Sequence, residues 1–405
     1  MNDRAAAAFL LVLASLLASC TAFKTAPAGG VDDASGVDGA RISDAQRDAM
    51  PRDATSTREG SREDASADAG RACAGGACGV IVMVSHLVEP VAVAVDATYL
   101  YWLEGGVLGD AGAGGYGELA RVPKSKPCSG PTCVFTVLDP NVLAGNGIYN
   151  STMGLGPTDV CYTQTFDATF QYSINCVSLG DGSEQNLAQG TGYVQGIWVG
   201  PAGALWAVAG SMTGVADGVV LGEAFGGGAM HTIASGRPSP WGITGDGTQA
   251  YWTELGLDAG QGSVLAAPAT ADGGTQSLAV AQASPQAVVV HAGYAYWADE
   301  GAGTIQRVKL AGGPPELVAA NQPSPFALAV DSSGTYWANL GKPFQNDYEG
   351  GSVAHVGAPG GPVTVDLPNL TNLFGLALDG GHVYAVVGGT YANNYADGEI
   401  DRVAR

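Results

Sequence analysis

Phe326-Ala327-Leu328-Ala329-Val330, then Asp331-Ser332-Ser333-Gly334, then Thr335-Tyr336-Trp337-Ala338-Asn339 reads as two short strands around a tight turn. Gly351-Ser352-Val353-Ala354-His355-Val356 supplies a third strand, Pro359-Gly360-Gly361 a second turn, and Val363-Thr364-Val365-Asp366-Leu367 a fourth strand. Short runs rich in β-branched and aromatic residues, bounded by Gly, Asp and Pro, are what antiparallel hairpins require. Residues 324–368 therefore spell one four-stranded antiparallel unit, and the units that begin at Pro240 and Pro285 match it element by element.

Outward from this unit the pattern recurs along the chain. A hydrophobic-aromatic pair marks each second strand: Tyr101-Trp102, Cys161-Tyr162, Leu205-Trp206, Tyr251-Trp252, Tyr296-Trp297, Tyr336-Trp337 and, last, Tyr384-Ala385. The intervals are 60, 44, 46, 45, 40 and 48 residues. A period in the forties with several strands per unit is the mark of a propeller blade. Aligning the inner strands gives a column of small residues (Ala92, Gly154, Gly196, Gly242, Ala287, Ala327, Gly375) beside an apolar one (Val93, Leu155, Ile197, Ile243, Val288, Leu328, Leu376). Converging inner strands demand small residues toward the axis and apolar neighbours between blades. The expected fold is an all-β, seven-bladed β-propeller of four-stranded antiparallel blades.

The last unit stops after its third strand, Gly398-Glu399-Ile400-Asp401-Arg402-Val403, while Val80-Ile81-Val82-Met83-Val84 stands alone at the start. The N-terminal strand is thus expected to complete the last blade and remove an open edge. Six cysteines form local couples, Cys73 with Cys78, Cys128 with Cys133 and Cys161 with Cys176. In an exported protein these favour disulfides. Metal binding is the rival reading, and no histidine lies near a couple at ligand spacing.

Export follows from the N-terminus. Arg4 precedes an apolar stretch at 5–17 that is too short to span a membrane, as in a signal peptide. Leu17-Ala18-Ser19-Cys20 resembles a bacterial lipobox, and the resemblance implies that Cys20 carries diacylglycerol. Thr21 follows where Asp would argue for inner-membrane retention, which favours outer-membrane delivery if the organism has two membranes. Residues 21–72 lose their aromatics after Phe23 and alternate charges without apolar periodicity, so they read as a disordered tether with a reach on the order of 40 Å. The expected organisation is a signal peptide at 1–19, a lipid-anchored tether at 20–72 and the propeller at 73–405, in the cell envelope with the membrane as partner.

Tyr251-Trp252-Thr253-Glu254 differs by one acid from the YWTD signature of LDL-receptor-type propellers, and Tyr296-Trp297-Ala298-Asp299 followed by Gly303-Thr304-Ile305 is similar to that family's continuation. Residues 79–405 also resemble NHL-type and streptogramin-lyase-like bacterial propellers. YWTD domains have six blades and this chain shows seven units, so the resemblance implies the fold and leaves the function open.

Composition and motifs argue against several chemistries. Net charge is −21, from 17 basic and 38 acidic residues, which excludes tracking a nucleic-acid backbone. None of His86, His231, His291, His355 and His382 is placed to act as a base at the inner-strand mouth, and no serine lies in a Gly-x-Ser-x-Gly elbow. The recurring Asp-Gly pairs at Asp181, Asp246, Asp272, Asp379 and Asp397 read as hairpin turns. No catalytic residue, metal ligand or cofactor is therefore expected, with calcium the weak exception. An alternative is a streptogramin-lyase-like or lactonase-like enzyme with a metal at the channel mouth. It needs two carboxylates, or a histidine and a carboxylate, converging there.

Three loops between second and third strands are long, at 103–117, 338–351 and 387–398. They carry Tyr116, Phe344, Asp347, Tyr348, Tyr391, Asn393, Asn394 and Tyr395. They share a face with the entries of the inner strands, where Trp241, Phe326 and Phe374 stand. This set is the candidate binding face for a peptide, glycan or protein ligand.

Overall fold

The computed structural model describes residues 79–105, 117–128, 135–142, 152–166, 171–210, 215–270, 274–344, 347–393 and 395–405. The leader and tether, with Cys20, lie outside these, as do Cys73, Cys78, Tyr116, Cys133 and Asn394.

β1 (Ile81–Leu87) opens the described chain. Blade 1 comprises β2–β5 (Pro90–Val95, Tyr99–Glu104, Gly117–Pro123, Thr136–Val142), and blade 2 comprises β6–β9 (Met153–Leu155, Asp159–Phe166, Gln171–Ser178, Glu184–Thr191). Blade 3 is β10–β13 (Val194–Val199, Gly203–Val208, Gly218–Ala224, His231–Arg237) and blade 4 is β14–β17 (Pro240–Gly245, Gln249–Glu254, Gly262–Pro268, Gln276–Gln282). Blade 5 is β18–β21 (Pro285–His291, Tyr294–Asp299, Thr304–Lys309, Glu316–Ala319). In blade 6, β22 (Pro325–Asp331) and β23 (Gly334–Asn339) are followed by a small hairpin, β24 (Lys342–Phe344) and β25 (Asp347–Glu349). The blade resumes with β26 (Gly351–Val356) and β27 (Thr364–Leu370). Blade 7 is β28–β30 (Leu373–Leu378, His382–Val387, Gly398–Ala404), completed by β1. The seven antiparallel sheets form a ring, in which each inner strand neighbours the next and β28 returns to β2.

The closing strand pairs as the repeat arithmetic requires. Ile81 faces Arg402, Val82 faces Asp401 and Val84 faces Ile400, and the pairing runs on to Leu87 opposite Gly398. Met83, Val84 and Leu87 are fully buried in a cluster shared with Trp102 and Tyr384, so closure is hydrophobic as well as hydrogen-bonded.

Seven apolar clusters fill the seven blade junctions, and the two sequence columns explain them. Each residue of the apolar column packs toward the preceding blade: Ile197 with the blade 2 cluster, Ile243 with blade 3, Leu328 with blade 5. The small column faces the following blade instead. A Cβ on Gly196 would lie 2.7 Å from the Trp241 carbonyl oxygen, and one on Gly242 would lie 2.4 Å from that of Gln286. At Gly196 and Gly242 the constraint is thus the backbone of the adjacent inner strand, whereas a Cβ on Gly375 would meet nothing within 4 Å.

The residue after each Tyr-Trp pair by two positions anchors the blade crossover. Glu104 accepts from the Trp102 indole at 3.0 Å and from the Val88 amide at 2.9 Å. Glu254 accepts from the Trp252 indole at 2.9 Å and from both nitrogens of the Arg237 fork at 2.5 and 3.0 Å. Asp299 and Asn339 are a methylene shorter, and there the indoles of Trp297 and Trp337 donate to Gln282 and Gln322, which stand where Arg237 stands in the earlier blade. Buried indoles need an acceptor, and the repeat supplies one from either side.

Candidate functional site

Antiparallel connections alternate between the two ends of a blade. One end, the turn face, holds the turns between first and second and between third and outer strands. The other, the crossover face, holds the links to the next blade and the long second-to-third loops.

On the turn face the Asp residues of the first turn are saturated. Asp246 accepts from the Thr248 and Gln249 amides, both at 2.8 Å, and from the Tyr251 hydroxyl at 2.9 Å. Asp379 accepts from the Gly381 and His382 amides, the Tyr384 hydroxyl and Lys124 Nζ at 2.8 Å. Burial alone would raise its pKa, but these donors outweigh it and hold the carboxyl well below its usual range. Asp96, Asp246 and Asp379 thus do the work of hairpin turns. A cavity of about 550 Å³ opens here between blades 1 and 7, lined by Asp96, Lys124, Asp379 and His382. Its charged groups are already paired with one another, and it lies on the opposite side of the ring from the expected binding face. His291 and His382 also belong to this side, while His231 and His355 sit on outer and third strands. His355 Nδ1 lies 2.8 Å from Asp366 and His231 Nε2 lies 2.8 Å from the Ala269 carbonyl.

On the crossover face Asn372 organises two of the long loops. Its side chain donates to Asp347 at 2.8 Å and to the Gly389 carbonyl at 2.7 Å, and accepts from the Tyr348 amide at 2.7 Å. Asp347 also accepts from the Tyr391 amide at 3.0 Å, so the β24–β25 hairpin and the 388–397 loop are stitched together. Asp397 caps that loop from within, accepting from Thr390 and from Asn393 at 2.7 Å. Asn393 and Asp347, candidate ligand contacts by sequence, therefore shape the loops through these bonds.

The rings these loops carry are held outward. Phe344 is 53% exposed and Tyr391 is 59% exposed. Tyr391 meets Tyr395 edge-on with centroids 6.2 Å apart. Phe374 is half-buried against Gly388, whose Cβ would stand 2.0 Å from the ring, so glycine is required there. Tyr348, Trp241 and Phe326 are half-buried on the same face. The structure joins Asp347, Tyr348, Tyr391 and Tyr395 into one patch, whereas Trp241 enters the ring in blade 4.

Glu89 is the residue that motif reading missed. It immediately precedes the first inner strand, and its amide donates to the Tyr395 carbonyl at 2.8 Å. Burial pushes its carboxyl up to about 7. Burial, followed by the nearby charges of Asp347 and Glu89, likewise pushes the Tyr395 hydroxyl up to about 12. Glu89 has φ +51°, a left-handed conformation shared by Ser239, Ser284, Ser324 and Asn372 at the equivalent crossovers, so this backbone belongs to the fold. The carboxyl is what distinguishes blade 1.

Cys161 and Cys176 are directly opposite on β7 and β8 and form a disulfide, with Cα atoms 4.0 Å apart. Cys128 is also disulfide-bonded.

Among solved structures the chain is similar to a computationally designed protein, with TM-score 0.52 and 10% identity over 79% of this chain and 99% of that one. It is also similar to a chain of a nidogen–laminin complex (TM-score 0.45, 15% identity, 69% and 97% covered) and to a putative TolB from Agrobacterium tumefaciens (0.43, 10%, 63% and 90%). At these identities the likeness is one of fold. No family model and no curated protein matches the chain.

Proposed function

We propose that the chain is a lipid-anchored cell-envelope propeller whose crossover face is a non-catalytic binding surface for a peptide, glycan or protein ligand. The observation that carries this reading is the pair of solvent-facing rings, Phe344 and Tyr391, on loops tied together through Asp347 and Asn372. Loops that could fold their aromatics inward but are braced to present them suit contact with a partner.

The enzymatic alternative would require a second carboxylate beside Glu89 free to act. Asp347 and Asp397 are committed to bracing the loops, which favours the binding reading. A peptide and glycan array probed with the full chain and with Tyr391→Ala tests it. Signals that disappear in the variant support the reading, and signals unchanged by it overturn the assignment of the face. Labelling cells with a palmitate analogue should mark the wild-type protein and fail to mark Cys20→Ser. Equal labelling of both would remove the lipid anchor.

A further inference from the structure

Charge is distributed unequally between the two faces. Among the described residues, Arg237 and Lys342 are the only lysines or arginines on the crossover face; the others sit in the turns or on the turn-side half of their strands. Arg237 is neutralised by its fork to Glu254, which leaves Lys342 alone. Against it stand Glu89, Asp258, Glu300, Asp347 and Glu349 on the same face. On the turn face lysines and arginines meet acids, Lys124 with Asp379 at 2.8 Å and Arg405 with Asp331 at 2.5 Å. The molecule is therefore electrostatically polarised along the ring axis, beyond what the net charge of −21 alone would give.

The polarisation meets the exposed rings at one place. Tyr391, Tyr395, Asp347 and Glu89 adjoin across blades 6, 7 and 1, and no described residue donates a hydrogen bond to the Glu89 carboxyl. Two tyrosine rings beside carboxylates form a setting for an ammonium or guanidinium group, which gains from the ring faces as well as from the charges. Resting on the reading of this face as a binding surface, we propose that its ligand is a basic peptide segment of a partner protein. One lysine or arginine would enter between Tyr391, Tyr395, Glu89 and Asp347, and an apolar side chain would lie on Phe344. Complementary charge of this kind accelerates encounter and suppresses acidic partners.

The test uses the full chain and fluorescein-labelled peptides of alternating lysine and leucine, with glutamate-leucine and serine-leucine counterparts, read by anisotropy. The lysine peptide should bind, and should weaken about tenfold between about 0.05 and 0.3 M salt. Phe344→Ala and Tyr391→Ala should each weaken it at least ~5-fold. Lys342→Gln, which leaves the loop bracing intact, should tighten it about 2-fold at low salt. Asp181→Asn, a fully exposed acid remote from this face, should change nothing. Equal binding of the glutamate or serine peptide, lost in Tyr391→Ala, would overturn the basic-ligand inference and leave the binding face standing. Lysine-peptide binding that none of the crossover-face variants alters would overturn both.

Discussion

The two ends of this ring are built from the same repeat, and both surround most of their carboxylates with donors; the crossover face has an exception, Glu89. On the turn face Asp96, Asp246 and Asp379 are each surrounded by amide and hydroxyl donors, and Asp379 gains a lysine. On the crossover face Glu89 is half-buried beside Tyr395, with its carboxyl pushed up to about 7 by burial. A carboxylate with several donors strengthens the fold, whereas one held without them weakens it. The turn-face carboxylates thus contribute to stability, whereas Glu89 on the crossover face costs it.

The largest effect should come from the closure on which both faces depend. Met83→Ala removes a fully buried side chain at the junction of blades 7 and 1 and should cost about 2–5 kcal/mol. Urea denaturation would show it as a lower midpoint, and an unchanged midpoint would mean that β1 is an accessory to the ring.

Smaller, and specific to the turn face, is Asp379→Asn, with an expected cost of roughly 1–3 kcal/mol from the weakened bonds to Lys124, Tyr384 and two amides. Its folded pKa is depressed, so the stabilisation is fully present above the usual 3.8 and is lost as pH falls through the folded value. Melting curves of wild type and variant should therefore converge only in strong acid.

Glu89→Gln should act with the opposite sign. The raised pKa means that the folded state holds a proton the unfolded state has released, so Glu89 destabilises increasingly from pH 4.5 to about 7 and uniformly above. The variant should gain on the order of 1–2 kcal/mol at pH 8, less than the full shift implies because the carboxyl keeps some contact with solvent. At pH 4.5 the gain should vanish. A loss at pH 8 would place Glu89 among the stabilising acids and erase the contrast between faces.

The smallest stability effects belong to Phe344→Ala and Tyr391→Ala, each within about 0.5 kcal/mol because the rings are exposed. A cost above about 2 kcal/mol in thermal melts would assign these rings to packing.

The ring was legible because its constraints are local and repeated. Two columns at fixed positions report the same inter-blade geometry seven times, and a missing fourth strand at one end matches a surplus strand at the other. Cys161 and Cys176 fall opposite each other because the hairpin register between β7 and β8 places them so. One further signal was available and unread: Asp five residues before Tyr recurs at Asp96 and Tyr101, Asp246 and Tyr251, and Asp379 and Tyr384, and in each case the hydroxyl donates to the carboxylate. Glu89 had no such signal. Its neighbour Tyr395 lies 306 residues away in sequence and reaches it only when the ring closes. The aromatic loop residues were visible as a composition, but which of them brace and which protrude depended on Asn372, an unremarkable residue before an inner strand.

The contrast between the faces is tested most directly by titrating the two carboxyl groups themselves. Carbon-13 NMR of carboxyl-labelled protein, with Glu89→Gln and Asp379→Asn used for assignment, would follow both in one sample. Glu89 should titrate near 7, and Asp379 should stay ionised well below the usual aspartate range. Two ordinary titrations, Glu89 near 4.5 and Asp379 near 3.8, would contradict it.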